Sequence, residues 1–364
     1  MERYSRHIIL SEVGPEGQER ISRSKVLVIG AGGLGCPVLQ YLAAAGIGTL
    51  GIIDFDVVER SNLQRQVLFG TSSLGMNKAV AARERLTDLN PTINIEAYPE
   101  RLTTNNALNL FEAYDIIVDG SDNFATRYLV NDAAILCSKP VVYGAIYKFE
   151  GQVSVFNYDD GPSYRCLFPT PPAAGSVANC SEVGVLGVLP GIIGSMQANE
   201  VLKIVLGLGS VLSGKILCYN AKSSETISLS LGKNSEAYQK VLQGRSQFEG
   251  RNYEATCDMV INEITAEEAI RIKEVQFIDV RDAHELPRIQ IDGCVQIPLD
   301  QLDGQLEQLD SQQTLVLFCQ SGIRSRKGVQ LLEQHGINSY SLLGGAKSLK
   351  QQLKMESECD SAKK

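Results

Sequence analysis

The sequence has no C-x-x-C pair, no long uninterrupted apolar run and no surplus of basic residues. Each absence excludes something. The nine cysteines are an odd number, scattered from Cys36 to Cys359. That argues against a disulfide framework or a thiolate zinc site and suits a reducing compartment. The longest weakly charged stretch, residues 183–196, is broken by glycines and Pro190, and Glu200 and Lys203 follow soon after. It reads as a buried core helix and not as a membrane span. With 42 acidic against 34 basic residues the net charge is −8, the wrong sign for a grip on nucleic acid. Glu2, Arg3, Arg6 and His7 stand where a signal peptide needs an apolar core. The expectation is a cytoplasmic protein whose partners are neither membrane nor nucleic acid. Its 364 residues, 44% hydrophobic and 21% charged, are those of a soluble globular chain with two domains.

What is present is organised around residues 25–35, K-V-L-V-I-G-A-G-G-L-G. The apolar run 26–29 reads as a strand buried on both faces of a parallel sheet. Gly30, Gly32, Gly33 and Gly35 follow it at once. Glycines there let the backbone turn sharply and approach a phosphate, which the next helix meets with its N-terminal N–H groups. Residues 36–45 have helical character, and T-L-G-I-I-D reads as a second strand ending at Asp54. A carboxylate about twenty residues past the glycines accepts hydrogen bonds from ribose hydroxyls. Asp56 divides evenly between that role and a turn cap.

A polar loop, Ser61 to Gln66, precedes a helix over residues 78–89, which Asn90-Pro91 stops. Further strands are expected at 93–97, 114–120 and 140–145, the second of them ending at Ser121-Asp122-Asn123. Strand, helix and strand in alternation describe a doubly wound α/β sheet, with its ligand at the carboxyl ends of the strands. Residues 2–24 read as a polar helix and a turn broken at Gly14-Pro15. Arg65 offers a planar fork and Lys78 a point charge to a triphosphate. Asp122 suits a magnesium ion. The glycine pattern alone does not choose between hydride transfer and adenylyl transfer.

R-Y-S-R-H-I-I-L (residues 3–10), G-A-G-G-L-G, Asp54-Phe55-Asp56, S-N-L-Q-R-Q, Lys78 and S-D-N occur here in an order and spacing that resemble the MoeB/ThiF family. These proteins are bacterial relatives of ubiquitin-activating enzymes, and the likeness spans roughly residues 1–230. It implies that ATP adenylates the C-terminal glycine of a ubiquitin-like sulfur-carrier protein ending in Gly-Gly. It further implies Gly33 near the phosphates, Asp54 on the ribose, Asn62, Arg65 and Lys78 on the phosphates, and magnesium on Asp122. Ser61 and Asn123 fall within the same motifs. The arginine matching Arg6 reaches into the partner subunit's site in the family, so a homodimer is implied.

The likeness continues through E-G-Q-V-S-V-F, Y-R-C and N-C-S-E-V-G-V to a helix containing G-S-M-Q-A-N-E. Residues 168–178 have the composition of a mobile loop leading to Cys180. In relatives the equivalent cysteine can form a covalent link with the carrier or an acyl-disulfide; for Cys180 that role and a merely retained thiol both stay open. Many members hold zinc with two C-x-x-C pairs. Here Cys166 keeps one position, the other three ligands are missing, and no zinc is expected.

Residues 233–261 turn polar and read as a linker with at most one helical turn. A second α/β pattern follows over residues 262–356, leaving 357–364 as a polar tail. Thr265 to Glu268 forms a T-x-x-E capping pattern, Q-F-I-D-V-R a strand, and T-L-V-L-F-C a strand that delivers Cys319 at its end. The loop from Cys319 to Arg324 then opens a helix over 325–334. Backbone N–H groups in such a loop, with Arg324 facing the sulfur, can hold the negative charge of a persulfide. D-V-R, H-E, D-G-C-V-Q-I-P-L, the C-x-x-x-x-R loop and L-L-G-G resemble a rhodanese domain. One departure is Gln290, where rhodaneses often carry His. The loop is one residue shorter than the related phosphatase loop, which favours sulfur over phosphate.

Together the two resemblances imply a Rossmann-like adenylation domain over residues 1–232 followed by a smaller rhodanese-like domain. The first makes a carrier acyl-adenylate. The second supplies sulfur from Cys319, delivered by a cysteine desulfurase or thiosulfate, and yields a C-terminal thiocarboxylate. Two alternatives stand beside this. One is a nicotinamide-dependent oxidoreductase, which leaves Arg65, Lys78, Asp122 and the sulfur loop without a role. The other is a non-catalytic sulfur-relay scaffold.

Overall fold

The computed structural model describes residues 2–171, 184–253, 262–282, 284–291, 293–310 and 313–361. The expected loop beyond Pro171 and Cys180 itself lie outside these residues. The chain divides into two compact units, the first ending at Glu254.

The first unit is built on an eight-stranded sheet in the order β3-β2-β1-β4-β5-β6-β7-β8. Its strands are β1 (Lys25–Ile29), β2 (Thr49–Ile53), β3 (Asn94–Tyr98), β4 (Ile116–Asp119), β5 (Val141–Tyr147), β6 (Glu150–Phe156), β7 (Lys215–Asn220) and β8 (Glu225–Ser230). The first five are parallel, as the alternating pattern predicts; from β5 onward the pairing is antiparallel. Val26, Leu27, Val28, Leu50 and Val118 are wholly buried, which is what apolar runs in a covered parallel sheet require.

The helices of this unit are α1 (Ser5–Ile8), α2 (Gly14–Arg23), α3 (Gly35–Ala45), α4 (Lys78–Leu89), α5 (Thr104–Ala113), α6 (Phe124–Leu136), α7 (Tyr164–Leu167), α8 (Leu189–Leu206) and α9 (Ser235–Gln243). Helix α8 is the expected core helix, shifted toward the C-terminus, with Leu189, Ile193 and Val201 fully buried. Two expectations are corrected. Gly14-Pro15 opens α2 instead of breaking a helix, because a proline in the first turn gives up an N–H that has no partner there anyway. Residues 233–253 are not a linker. They form α9 and a 3-10 turn, and they pack on the first unit with Val241 and Phe248 buried. Their polar composition hid this, because hydrogen bonds hold the segment as much as apolar contacts do. Tyr238 donates to Asn157, Arg245 to the Leu136 carbonyl, and Arg251 and Tyr253 to Asp132.

The second unit has a five-stranded, all-parallel sheet in the order β11-β10-β12-β13-β9. Its elements are β9 (Glu263–Ile264), α10 (Ala266–Ile270), β10 (Val275–Asp279), β11 (Val295–Gln296), β12 (Thr314–Phe318), α11 (Ile323–Gln334), β13 (Ser339–Leu342) and α12 (Gly345–Ser361). The T-x-x-E box forms: Thr265 Oγ1 accepts from the Glu268 N–H at 3.2 Å, and the Glu268 carboxylate accepts from the Thr265 N–H at 3.0 Å. Helix α12 runs on through Ser361, over most of the expected tail.

Candidate functional site

In the first unit the sheet order reverses between β1 and β4, and a crevice opens at their carboxyl ends, where open α/β sheets bind ligands. Gly30 and Gly120, which follow these two strands, nearly touch. A Cβ on Gly30 would lie 3.2 Å from the Gly120 carbonyl oxygen, and Gly30 has φ of +88°. A Cβ on Gly35 would lie 1.8 Å from the Gly30 oxygen, so only glycine lets α3 start this close to the strand. Gly32 and Gly33 line the opening instead, and nothing approaches a Cβ on Gly32 closer than 3.9 Å.

The cleft holds about 300 Å³ and is walled by Gly30, Gly32, Gly33, Asp54, Asp56, Asn62, Arg65, Lys78, Asp122 and Asn123. These are ten of the residues expected from sequence. Asp54 follows β2 directly and is 9% exposed. Its two oxygens accept the N–H groups of Ala31 at 2.8 Å and Asp56 at 2.9 Å. Burial raises its pKa, while Lys78 and the two N–H groups oppose that shift. The carboxylate is thereby held rigid at the cleft wall.

Lys78 opens α4 and is 7% exposed. Its Nζ lies 2.9 Å from Asp56 Oδ2, so Asp56, for which sequence left two roles, is the partner of the buried ammonium. Arg65 is half-buried with its stem beside Gly33, and its Nη1 donates to the Ser61 carbonyl at 3.1 Å. Asn62 is buried, and its Oδ1 accepts the Glu59 N–H. Asn123 caps α6 by accepting from the Thr126 N–H at 2.9 Å, and Asp122 beside it is exposed at the cleft.

Gly35 and Ser61 support the cleft from behind: Gly35 packs under Gly30, and the Ser61 carbonyl holds Arg65. Arg6 is exposed on α1 and does not line the cleft of its own chain.

Sequence reasoning missed several wall residues. Arg127, one turn after Asn123, is 9% exposed and donates to the Ser121 carbonyl at 3.2 Å. The four-residue spacing on one helix face was its available signal. It faces Asp119, a buried carboxyl whose pKa burial raises. Arg101 stacks over Phe55 at 4.0 Å and joins Gln66 and Glu100 in the wall. No periodicity marks it.

In the second unit Cys319 follows β12 and is 1% exposed. Its Sγ accepts the Gly322 N–H at 3.2 Å, and the Ser325 hydroxyl lies 3.9 Å away. Gly345 crowds in behind, where a Cβ would meet the Cys319 carbonyl oxygen at 2.3 Å. Arg324, expected to face the sulfur, also carries a carboxylate partner that the sequence did not show. Its guanidinium is bound by Glu285 at 2.5 and 2.8 Å, with Asp282 at 3.4 Å. A planar fork matches a carboxylate better than it matches a thiol, and Glu285 is within reach. The pairing holds the Glu285 carboxyl down at about 2.

Cys166, the remnant of a zinc pattern, accepts the Ser163 and Asn234 N–H groups, each at 3.2 Å. Among the described residues no group of three or more His, Cys, Asp or Glu side chains is placed to hold a metal ion. Among them, too, no helix is long and apolar enough to cross a membrane.

Comparison with known proteins agrees with this geometry. The ThiF family matches residues 4–240, and the rhodanese-like domain matches residues 265–352. A sulfur carrier protein adenylyltransferase of Thermus thermophilus is 54% identical over 64% of this chain and 88% of its own length. A probable adenylyltransferase/sulfurtransferase MoeZ of Mycobacterium tuberculosis is 41% identical over 94% of this chain and 91% of its own. The adenylyltransferase and sulfurtransferase MOCS3 of Aedes aegypti is 42% identical over 82% of this chain and 72% of its own. Among solved structures, E. coli MccB superposes with a TM-score of 0.57 at 21% identity, covering 64% of this chain and 70% of that one. PaaA does so with a TM-score of 0.55 at 24% identity, covering 64% and 74%. The structural likeness establishes the fold of the first unit.

Proposed function

The chain belongs to the ThiF family and carries a rhodanese-like domain behind it, and from that premise we propose that it is an ATP-dependent adenylyltransferase and sulfurtransferase. Its substrate is the C-terminal glycine of a ubiquitin-like sulfur carrier. The observation that carries the reading is the convergence of Asp54, Arg65, Lys78 and Asp122 on one cleft beside Gly32 and Gly33, in a chain that also presents Cys319 in an N–H-lined loop.

The carrier carboxylate attacks the α-phosphorus of ATP, pyrophosphate leaves, and the carboxylate becomes an acyl-adenylate. Such a transfer asks the protein mainly for positioning and charge stabilisation. Asp54 takes the ribose hydroxyls. Arg65 and Lys78 neutralise the phosphates, with Lys78 exchanging Asp56 for a phosphate oxygen. Asp122 is an exposed hard-oxygen donor and fits magnesium, which is usually held by one or two carboxylates plus phosphates and would offset their charge. The first unit is read as a homodimer in which Arg6 serves the partner's cleft.

The persulfide sulfur on Cys319 then attacks the acyl carbon and AMP leaves, giving an acyl disulfide. A thiol opens that disulfide at the Cys319 sulfur, so the carrier departs as a thiocarboxylate. The mixed disulfide left on Cys319 is reduced by a dithiol. The sulfur comes from a cysteine desulfurase or thiosulfate. An oxidoreductase gives Lys78 and Cys319 no work, and an idle scaffold does not need an intact phosphate wall.

The test supplies carrier, ATP, thiosulfate and a dithiol, which opens the acyl disulfide and then reduces Cys319, and scores the carrier by intact mass. Wild type should add one sulfur for oxygen. Cys319→Ala should form acyl-adenylate but no thiocarboxylate; an unchanged yield with that variant would refute the sulfur role.

A further inference from the structure

The corner between β4 and α6 is held by buried polar bonds that neither element needs. Asp119 closes β4 and is 2% exposed. Its Oδ1 accepts the Ser121 N–H at 2.9 Å and the Ser121 hydroxyl at 2.6 Å. The Ser121 carbonyl accepts Arg127 Nη2 at 3.2 Å, so the N–H, hydroxyl and carbonyl of Ser121 are all engaged. The Asp119 carbonyl in turn accepts Nε2 of Gln197, a fully buried residue of α8, at 2.9 Å. The same nitrogen reaches the Val142 carbonyl of β5 at 3.2 Å. A Cβ on Gly144 would stand 2.4 Å from the Gln197 amide, so a glycine in β5 makes room for that link. On the other side of the corner, Asn123 caps α6.

Asp122 stands between these two fixed residues, exposed at the cleft. Among the described residues its carboxylate has no hydrogen bond or ion pair. Helix α6 already has its cap in Asn123, and β4 is already paired with β1 and β5. What the Ser121 bonds add is a fixed main-chain path into Asp122. The charges point the same way. Arg127, 9% exposed, faces the buried Asp119. Stranding either buried charge would be strongly destabilising, and with each matched to the other the uncompensated charge of the corner is the Asp122 carboxylate at the cleft.

We propose that Asp119, Ser121 and Arg127 are positioning residues for the cation that Asp122 holds beside the phosphates: they fix the backbone on which an otherwise unheld carboxylate stands. The proposal rests on the adenylation reading above and deepens it. A carboxylate that ligates a metal is ordinarily oriented by hydrogen bonds to its own oxygens, and losing such a partner costs about 10–100-fold in metal affinity. Asp122 has no such partner, so its aim is set one step back, through a backbone clamped on both sides. Asp119 is not a wall residue of the cleft, which makes it the place to test the brace without touching nucleotide or metal.

The experiment uses the full chain, the α,β-methylene analogue of ATP, and manganese(II), whose free ion is counted by electron paramagnetic resonance. Analogue affinity is measured in EDTA, and manganese affinity at saturating analogue. Asp119→Ala should weaken manganese binding about tenfold, the lower end for a lost orienting partner, and leave analogue affinity in EDTA within about twofold of wild type. Asp119→Asn, which keeps the shape and an acceptor for Ser121, should recover most of the loss. Asp122→Ala should lose at least as much manganese affinity, and adding Asp119→Ala to it should cost nothing more, because residues acting through one another do not add. If Asp119→Ala melts below the assay temperature, Ser121→Ala is read in its place, with a loss of about threefold for one hydrogen bond. Equal weakening of both affinities, or a full further loss in the Asp122→Ala background, overturns the proposal. A wild-type complex that takes up no manganese overturns instead the reading of Asp122 as the metal carboxylate.

Discussion

Glu285 grips Arg324 with both carboxylate oxygens, Nη1 at 2.5 Å from one and Nη2 at 2.8 Å from the other. The cation that ends the Cys319 loop thus has a carboxylate partner within its own unit. It ties the loop to Asp282 and Glu285.

That pair has a pH signature. Glu285 titrates at about 2 in the folded chain, below the ordinary glutamate value near 4.3. A depressed carboxyl stabilises the fold fully above its unfolded pKa, and the contribution drains away as pH falls toward the folded one. Glu285→Gln should therefore cost about 1 kcal/mol at pH 7, allowing for solvent screening of a partly exposed pair. The gap from wild type should narrow progressively below about pH 4. Urea denaturation of the second unit's transition between pH 3 and 7 measures it; a gap that does not change with pH would show that the charge is not what Glu285 contributes.

The glycines of the nucleotide loop should separate by role. Gly35→Ala places a methyl 1.8 Å from the Gly30 carbonyl oxygen, and backbone does not yield cheaply. Loss of several kcal/mol or failure to fold is expected. Gly32→Ala meets nothing within 3.8 Å, so the melting temperature should barely move while the KM for ATP rises at least tenfold as the methyl intrudes on the phosphates. Calorimetry together with exchange kinetics distinguishes the two; equal melting behaviour would contradict the packing.

Lys78 is buried and its ammonium is paired with Asp56, whose side chain is half exposed. Replacing it with methionine keeps the stem and deletes the charge. Pyrophosphate exchange should fall about a hundredfold, the scale of a charge-assisted contact to a phosphoryl group in a water-poor cleft. If Arg6 acts across a homodimer, mixing Lys78→Met with Arg6→Ala chains should restore up to a quarter of wild-type activity, since half of the dimers then hold one intact site. Additive loss on mixing would place Arg6 in its own cleft or nowhere.

Legibility in the sequence followed the reach of the interactions. The glycine loop, Asp54, Asn62, Lys78 and Asp122 were readable because each sits within a few residues of a strand end or helix start, where local backbone geometry dictates side-chain direction. The Glu285 partner of Arg324 was hidden because it lies 39 residues away, and spacing inside the loop says nothing about it. Residues 233–253 looked like a linker because their anchors, Asn157, Leu136 and Asp132, belong to other parts of the chain. Composition counts apolar residues, and this segment is held by donors and acceptors that only the fold brings together. The antiparallel extension β6 to β8 was hidden for a related reason. All of β8 is exposed, so burial imposes no strict alternation on it.

The strap over residues 233–253 also determines where the gene can be cut. A fragment stopped at residue 232 would bare the seats of Val241 and Phe248, and Asp132 would keep only one of its two arginine partners. Such a fragment invites aggregation, and its sluggish adenylation would be mistaken for dependence on the sulfur domain. A fragment carried through Glu254 keeps those seats filled, and it is the proper free-standing control for deciding what the second unit adds.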